Sequence, residues 1–524
     1  MMKDIERFEE NTPLMTMCRD FLIRTGANGN VCEICTRLVK HMDEGNACLK
    51  LTDCETEEIR KFSAVSAAPD DSGIFILDGK RLYTRRYWKY EDCIRRRIKN
   101  ETPQTSGNIS LPDDPAFNAL HPCQREAVKI MCSSRLSILT GGPGTGKTYT
   151  IARAVKLAGE KEKLRIGLAA PTGKAAARVN ESMNKEIASL NLQHIGKATT
   201  IHSLLKPCYT GVTFKHNADD PLPLDWVIVD EASMIDLPLM AKLLDALPEH
   251  CRLTLVGDQG QLASVEPGRV FGDLCKNSSI AKCELDISTR FPAGGIIDRF
   301  SKAVNTGDDA KMLAMLHEDN ELLHFLAFSG KDNLHPGKWQ DFTKLVTDLW
   351  TGFASQTTPQ GALEKLNDCR LLCALRSGPF GAEKMNEYIS LILNRKFPDH
   401  PVPVMITGND RALDVWNGDV GVIMPGENQL CLPDRDPIPL ELLPDTEKAF
   451  ASTIHKAQGS EYRNVMILLP DDSWMEESKN AGSLLTRELL YTAVTRTRER
   501  VFIYGGEETL RSCCRAAVER DSGL

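Results

Sequence analysis

The stretch Gly141-Gly142-Pro143-Gly144-Thr145-Gly146-Lys147-Thr148 constrains the chain more than any other. It fits the pattern G-x-x-x-x-G-K-[ST], with Gly141, Gly146, Lys147 and Thr148 on the fixed positions. The apolar residues 136–140 before it predict a short buried strand, and residues 149–159 after it predict a helix. Glycines let such a turn curl until successive N–H groups face a polyphosphate, and the helix N-terminus adds its positive dipole end. Lys147 then offers a charge to the outer phosphates, and the Thr148 hydroxyl a ligand for magnesium. A turn without a ligand would account for the glycines but not for the Lys-Thr pair that opens the helix.

Beyond this loop, strand-like runs at residues 165–169, 226–229 and 252–256 alternate with helical stretches. That alternation predicts a parallel sheet covered by helices on both faces, with ligands bound where the strands end. The run ending at Val229 delivers two adjacent carboxylates, Asp230 and Glu231. Asp230 suits a magnesium site through water, and Glu231 suits orienting or deprotonating an attacking water. Capping of the next helix is the structural alternative. Gln261, four residues after Gly257, is placed to sense a γ-phosphate through its amide, although Gly-Asp turns of this kind are common.

A chain of 524 residues is too long for one core, and length alone suggests about three domains. The net charge of −8 leaves no global positive field to attract a polyanion, so nucleic-acid binding would need a local groove. The 17 cysteines are scattered through apolar runs such as residues 371–374, as reduced cytosolic thiols are. An acidic, polar start and the lack of a long apolar run predict a cytoplasmic protein with no membrane association.

Residues 1–102 form a mainly helical N-terminal, partner-docking domain. Its Cys32 and Cys35, with Cys18, Cys48 and Cys54 nearby, lack the second close pair of a four-ligand metal site and are expected to be packed thiols. Its basic, aromatic end includes Arg85, Arg86, Tyr87, Trp88, Tyr90 and Arg95. Interleaving of this kind can clamp a nucleic-acid strand. However, Tyr87, Tyr90, Ile94 and Ile98 share one helical face, which favours a core or a protein-docking surface. Residues 103–115 are expected to be a linker and 116–290 a nucleotide-binding α/β domain. Residues 291–524 form a second α/β domain, with strands near 369–375, 464–469 and 501–504 and a small β-barrel insertion at 401–443. No second phosphate loop is present, so this domain would serve the first one's nucleotide in trans. The run Glu160-Lys161-Glu162-Lys163 is expected to be a solvated charge cluster rather than a nuclease site.

The motif series in this order resembles that of superfamily 1 helicases. GGPGTGKT, APTGKAAARV, VDEAS, GDQGQL, LDISTRF, TIHKAQGSE and YTAVTRTRER match successive helicase motifs. LLCALRSGPFGAEKMN, PVMITGNDRALDVWNGDVGVI and ERDSGL resemble exodeoxyribonuclease V alpha subunits, the RecD family, and GNACLKL and GKRLYTRRYWKYEDC resemble the amino-terminal domain of that family. The resemblance implies two RecA-like domains of the P-loop NTPase class and a 5′-to-3′ DNA motor that hydrolyses ATP with Mg2+. It implies RecB-like and RecC-like partners in a heterotrimer acting on single- and double-stranded DNA ends in repair and recombination. The main alternative is an ATP-binding architectural subunit with little motor activity.

Residue by residue, the resemblance implies catalytic roles for Lys147, Asp230, Glu231, Gln261, Arg290 and Arg496, the last two reaching the γ-phosphate from across the cleft. Metal ligation falls to Thr148 and Asp230. Nucleotide binding falls to Gly141, Gly142, Pro143, Gly144, Thr145, Gly146, Lys147, Thr148, Gly459 and Glu461, with Gln124 reading adenine. DNA contacts fall to Pro171, Thr172, Lys174, Thr200, His202, His455 and Lys456. Their hydroxyls, imidazoles and amines suit sugar–phosphate contacts without sequence preference.

Overall fold

The computed structural model describes residues 22–66, 73–99, 109–161, 164–190, 195–208, 213–288, 290–292, 294–327, 340–410, 412–470 and 485–524, with backbone only at 160, 161 and 187–189. Cys18, residues 103–108 and the side chains of the run Glu160-Lys161-Glu162-Lys163 lie outside them.

The strand before the phosphate loop, Leu136–Gly141, is buried at every position. It lies in a six-stranded parallel sheet between Ala281–Leu285 and Arg252–Gly257, and the sheet continues through Trp226–Val229, Ile166–Ala170 and Thr199–Thr200. Continuous apolar runs suit strands covered on both faces. On one face Ile151, Val155, Val128 and Trp226 share a core; on the other Ile138, Val229, Met240 and Phe271 share a second. Because all strands run the same way, Gly142, Asp230 and Asp258 follow neighbouring strands at one edge of the sheet.

The second sheet is also parallel, in the order Leu323–Ala327, Thr497–Gly505, Tyr462–Leu468, Cys369–Cys373 and Ala451–Thr453. Phe300, Leu489 and Ile503 fill one side; Phe342, Ile389 and Leu468 fill the other. From it projects a small antiparallel unit, Val420–Ile423, Val402–Ile406 and Thr446–Lys448, with the hairpin Gln429–Leu430/Ile438–Pro439 beside it. Val404, Ile406, Val415, Leu430 and Leu432 form its own core, and its last strand passes Leu443 to end at Lys448.

The N-terminal region combines helices Gly29–Asp43, Asp53–Arg60 and Arg85–Lys99 with a four-stranded sheet that the helical patterning did not announce. Two of its strands are only two residues long and the other two only four, too short to show a clear two-residue alternation. Cys32 and Cys35 are buried among Val31, Ile34 and Leu38. The basic, aromatic stretch is the helix Arg85–Lys99. Its Ile94 is fully buried, with Tyr87, Tyr90 and Ile98 packed against the same core as Met240 and Leu243. Arg97 Nη2 donates to the Cys251 carbonyl at 2.8 Å. Within this chain the stretch therefore docks the N-terminal region onto the first sheet.

Residues 109–115, expected to be linker, are packed instead. Ile109 and Leu111 lie on the core with Val155, and Asp114 caps the helix Pro115–Asn118 while pairing with Lys156 at 2.7 Å. A turn-rich composition marks where the chain bends, not whether it is held.

Candidate active site

The P-loop side chains are organised from within. Lys147 Nζ donates to the carbonyls of Gly141 and Gly142 at 2.7 and 3.0 Å, and Thr145 Oγ1 donates to Gly142 O at 2.9 Å. Gly144 and Gly146 adopt φ of +75° and +82°, which L side chains rarely adopt. The helix that follows starts at Lys147 itself. Pro143 to Tyr149 line a cavity of about 250 Å³ with Ala175, Arg178, Asp230, Glu231, Gln261, Arg290, Glu461 and Arg496. The structure thus brings the sequence-predicted catalytic residues of both sheets into one cleft.

Asp230 is half-buried, and its pKa is raised by loss of solvent and then by Glu231 beside it, with Lys147 acting in the opposite direction. Glu231 sits in the left-handed region at φ +53°, ψ 38°, uncommon for a non-glycine residue, and its N–H donates to Asp230 Oδ1 at 2.8 Å. Two carboxylates converging on a cavity that Thr148 also lines form a hard-oxygen donor set that suits magnesium.

Gln261 differs from the expectation of a phosphate-facing amide. Its Nε2 donates to Asp258 Oδ2 at 3.1 Å, while Oε1 is buried without a partner. With the amide so oriented, the free atom is an acceptor, which suits a water molecule better than a phosphate oxygen.

Two further cations face the loop, Arg290 after the first sheet's strand Ala281–Leu285 and Arg496 from the second unit. Arg496 is fixed by its own surroundings, Nε donating to Thr492 O at 3.1 Å. Arg290 donates Nη1 to Thr495 O at 2.9 Å and pairs through Nη2 with Glu461. Burial, and then the guanidiniums of Arg496, Arg178 and Arg498, push Arg290 down to about 9. Glu461 also pairs with Arg178 and with Arg498, and Arg178 Nη1 donates to Gly459 O at 3.2 Å. Gln124 does not line the cavity. Its Oε1 accepts from His121 N and its Nε2 leans on Thr145 O at 3.4 Å, so it caps its own helix against the phosphate loop.

A second concavity, of about 740 Å³, lies between the first sheet's helices and the β insertion. All seven residues expected to touch DNA line it: Pro171, Thr172, Lys174, Thr200, His202, His455 and Lys456. Burial pushes Lys174, His202 and His455 down from their ordinary pKa values, and Lys456 pairs with Glu447 at 2.8 Å. The imidazoles are therefore neutral hydrogen-bonding groups near pH 7.

One helix and one loop touch both concavities. The helix Gly173–Leu190 puts Gly173 and Lys174 on the groove and Arg178 on the cleft, and the loop after Thr453 puts His455 and Lys456 on the groove and Glu461 on the cleft.

Comparison with known proteins accords with this geometry. The AAA domain family matches residues 124–267, and the UvrD-like helicase C-terminal domain family matches residues 448–504. The RecBCD enzyme subunit RecD of Mycolicibacterium smegmatis is 37% identical over 488 residues, covering 88% of this chain and 85% of that protein. The chain belongs to the RecD family. The ATP-dependent RecD2 DNA helicase of Deinococcus radiodurans is 30% identical over 459 residues, covering 85% of this chain and 57% of that longer protein. Among solved structures, Bacteroides Pif1 bound to ssDNA aligns with a TM-score of 0.40 at 16% identity, over 76% of this chain and 94% of that one.

In this RecD-family chain three site residues escaped the motif reading. Arg178 lies inside the APTGKAAARV segment but gives no signal of its own. Asp258 belongs to a Gly-Asp turn of a common kind, yet it is buried beside Gln261. Trp416, on the β insertion, lines the groove. The described helices include none long and apolar enough to cross a membrane.

Proposed function

We propose that the chain is the ATP-dependent 5′-to-3′ DNA helicase subunit of a RecBCD-type exonuclease complex, working in the cytoplasm with RecB-like and RecC-like chains on DNA ends during break repair. One observation carries the motor reading. The nucleotide cleft and the groove share the helix Gly173–Leu190 and the loop between Thr453 and Glu461, so a movement of either is felt by both.

Thr148 and Asp230 would hold magnesium, which would supply positive charge to the outer phosphates of ATP. Lys147 adds a second cation there. Glu231 takes the proton of the attacking water, and Gln261 Oε1 accepts the other hydrogen and orients the nucleophile. Arg290 and Arg496 meet the charge that develops on the γ-phosphate, and Arg496, which belongs to the second unit, draws that unit toward the first. For Arg290 the phosphate replaces Glu461 as partner, so the arrangement of charges differs between the empty and filled cleft. Loss of the γ-phosphate returns Arg290 to Glu461 and loosens the cleft. The groove follows these movements through Lys174, His455 and Lys456, with contacts of the backbone-binding kind.

The test is strand separation on duplexes with a single-stranded tail at either the 5′ or the 3′ end, by the purified chain alone and with its RecB-like and RecC-like partners. Unwinding confined to 5′-tailed duplexes and lost in Lys147→Gln is the expected result. ATP binding without unwinding in any of these assemblies would establish the architectural reading instead.

A further inference from the structure

Trp416 is the one large aromatic surface among the described residues lining the groove; its neighbours there are prolines, hydroxyls, imidazoles, amides and amines. Such groups, with Met234 beside them, suit a sugar–phosphate backbone, and none offers a flat face as large as the indole. The turn that carries the indole is held from several sides, and the ring itself by one bond. Its Nε1 donates to Asp414 Oδ1 at 3.2 Å, and its backbone N donates to Asp419 Oδ2 at 3.1 Å. Arg435 pairs with the same Asp419 oxygen at 3.2 Å. Asn417 N donates to Asn409 Oδ1 at 2.8 Å, and Asp414 takes the left-handed conformation at φ +52° to make the turn. A two-residue spacing between Asp414 and Trp416 thus uses up the ring's polar edge. Across the groove the ring meets Gly173, where an added Cβ would stand 3.5 Å from Trp416 Cγ. No side chain of that residue covers the ring.

We propose that Trp416 is a base-stacking platform, against which single-stranded nucleic acid in the groove lays one base while the polar residues hold its backbone. Stacking of this kind accepts any base, because each has a π-face, and so suits a motor that must not stop at particular sequences. A ring held rigidly before the strand arrives loses little freedom on binding. Trp416 belongs to the insertion of the second sheet, and Gly173 to the first, so the stacked base sits where the two units meet.

This proposal rests on the reading of the groove as a single-strand track, and the experiment separates the two. Fluorescence anisotropy measures binding of the full chain to a labelled oligothymidylate and to an abasic strand of equal length, for wild type, Trp416→Ala and Trp416→Phe. Wild type should prefer the base-bearing strand, and Trp416→Ala should lose about 5- to 100-fold of affinity for it. Its affinity for the abasic strand should stay within about twofold, and Trp416→Phe should recover most of the preference. Equal losses on both strands would make Trp416 a structural peg and overturn the proposal, as would an undiminished preference in Trp416→Ala. Wild type that binds neither strand would overturn the track reading itself, and the proposal with it.

Discussion

Tyr491 donates a hydrogen bond to Asp258 across the junction of the two parallel sheets, Oη to Oδ2 at 3.0 Å. The same carboxylate oxygen accepts from Gln261 at 3.1 Å, so the residue proposed to orient the attacking water is tied to the second unit through one atom. Two more bonds cross beside it. Leu262 N donates to Thr492 Oγ1 at 3.0 Å, and Gln458 Nε2 donates to Leu262 O at 3.1 Å. Tyr491→Phe removes one donor from a buried carboxylate, a loss of about 1–3 kcal/mol. The turnover of DNA-stimulated ATP hydrolysis should fall about tenfold, with KM for ATP within about twofold of wild type. Steady-state kinetics check this; a raised KM at unchanged turnover would contradict it.

Glu461 pairs with three guanidiniums, those of Arg178, Arg290 and Arg498. Removing the carboxylate leaves the part-buried guanidiniums of Arg178 and Arg290 facing one another, a cost that solvent screening holds below the roughly 3–5 kcal/mol of a fully buried pair. Glu461→Gln should lower the thermal midpoint of the nucleotide-free chain. A non-hydrolysable ATP analogue should then raise that midpoint by more than it does in wild type, because the γ-phosphate replaces the missing negative charge. Thermal melts with and without the analogue give the answer, and equal ligand-induced shifts would exclude Glu461 as the counter-ion.

Glu231→Gln retains the shape of the side chain but cannot accept a proton from water. Hydrolysis should fall at least about 100-fold while ATP affinity stays within a few-fold. Rapid-quench measurement of the single-turnover step, paired with equilibrium binding of a fluorescent ATP analogue, separates the two quantities.

Glu91 lies fully buried under the N-terminal sheet, accepting from Tyr83 Oη at 3.0 Å and from Gly523 N at 3.0 Å. Burial raises its pKa above the ordinary 4.5, against the opposing pull of these donors. A carboxyl whose folded-state pKa is raised costs nothing below the unfolded value. Its contribution to stability is lost as pH rises through the folded value. Unfolding midpoints should therefore decline as pH rises from 4.5 toward neutrality, and this component of the decline should vanish in Glu91→Gln. An identical pH profile in the variant would assign the decline elsewhere.

What the sequence showed and withheld follows the range of each interaction. The strand at Trp226–Val229 was legible because a continuous apolar run with carboxylates at its end is a local signal. That the seven groove residues share one surface was expected only from the family resemblance, since as bare spacing their motifs are polar loops and a charged helix. Arg178 was not, since its partner Glu461 lies 283 positions later and no periodicity connects them. The tail is a similar case. Ser522 Oγ donates to Asp273 at 2.9 Å, and Asp521 O accepts from Ala47 N at 2.9 Å, so the segment joins the first sheet's unit to the N-terminal region. Gln124 shows the reverse. Its motif position suggested an adenine contact, whereas His121 N and the Thr145 carbonyl already engage its amide.

The central claim is that one helix and one loop couple the nucleotide cleft to the groove. The most direct measurement is ATP hydrolysis by the purified chain with and without single-stranded DNA, for wild type, Lys147→Gln and Lys174→Ala. The account predicts strong stimulation by DNA in wild type and no hydrolysis in Lys147→Gln. In Lys174→Ala it predicts stimulation that needs about tenfold more DNA. Hydrolysis in wild type that is indifferent to DNA, in a folded chain that binds both ligands, would contradict it.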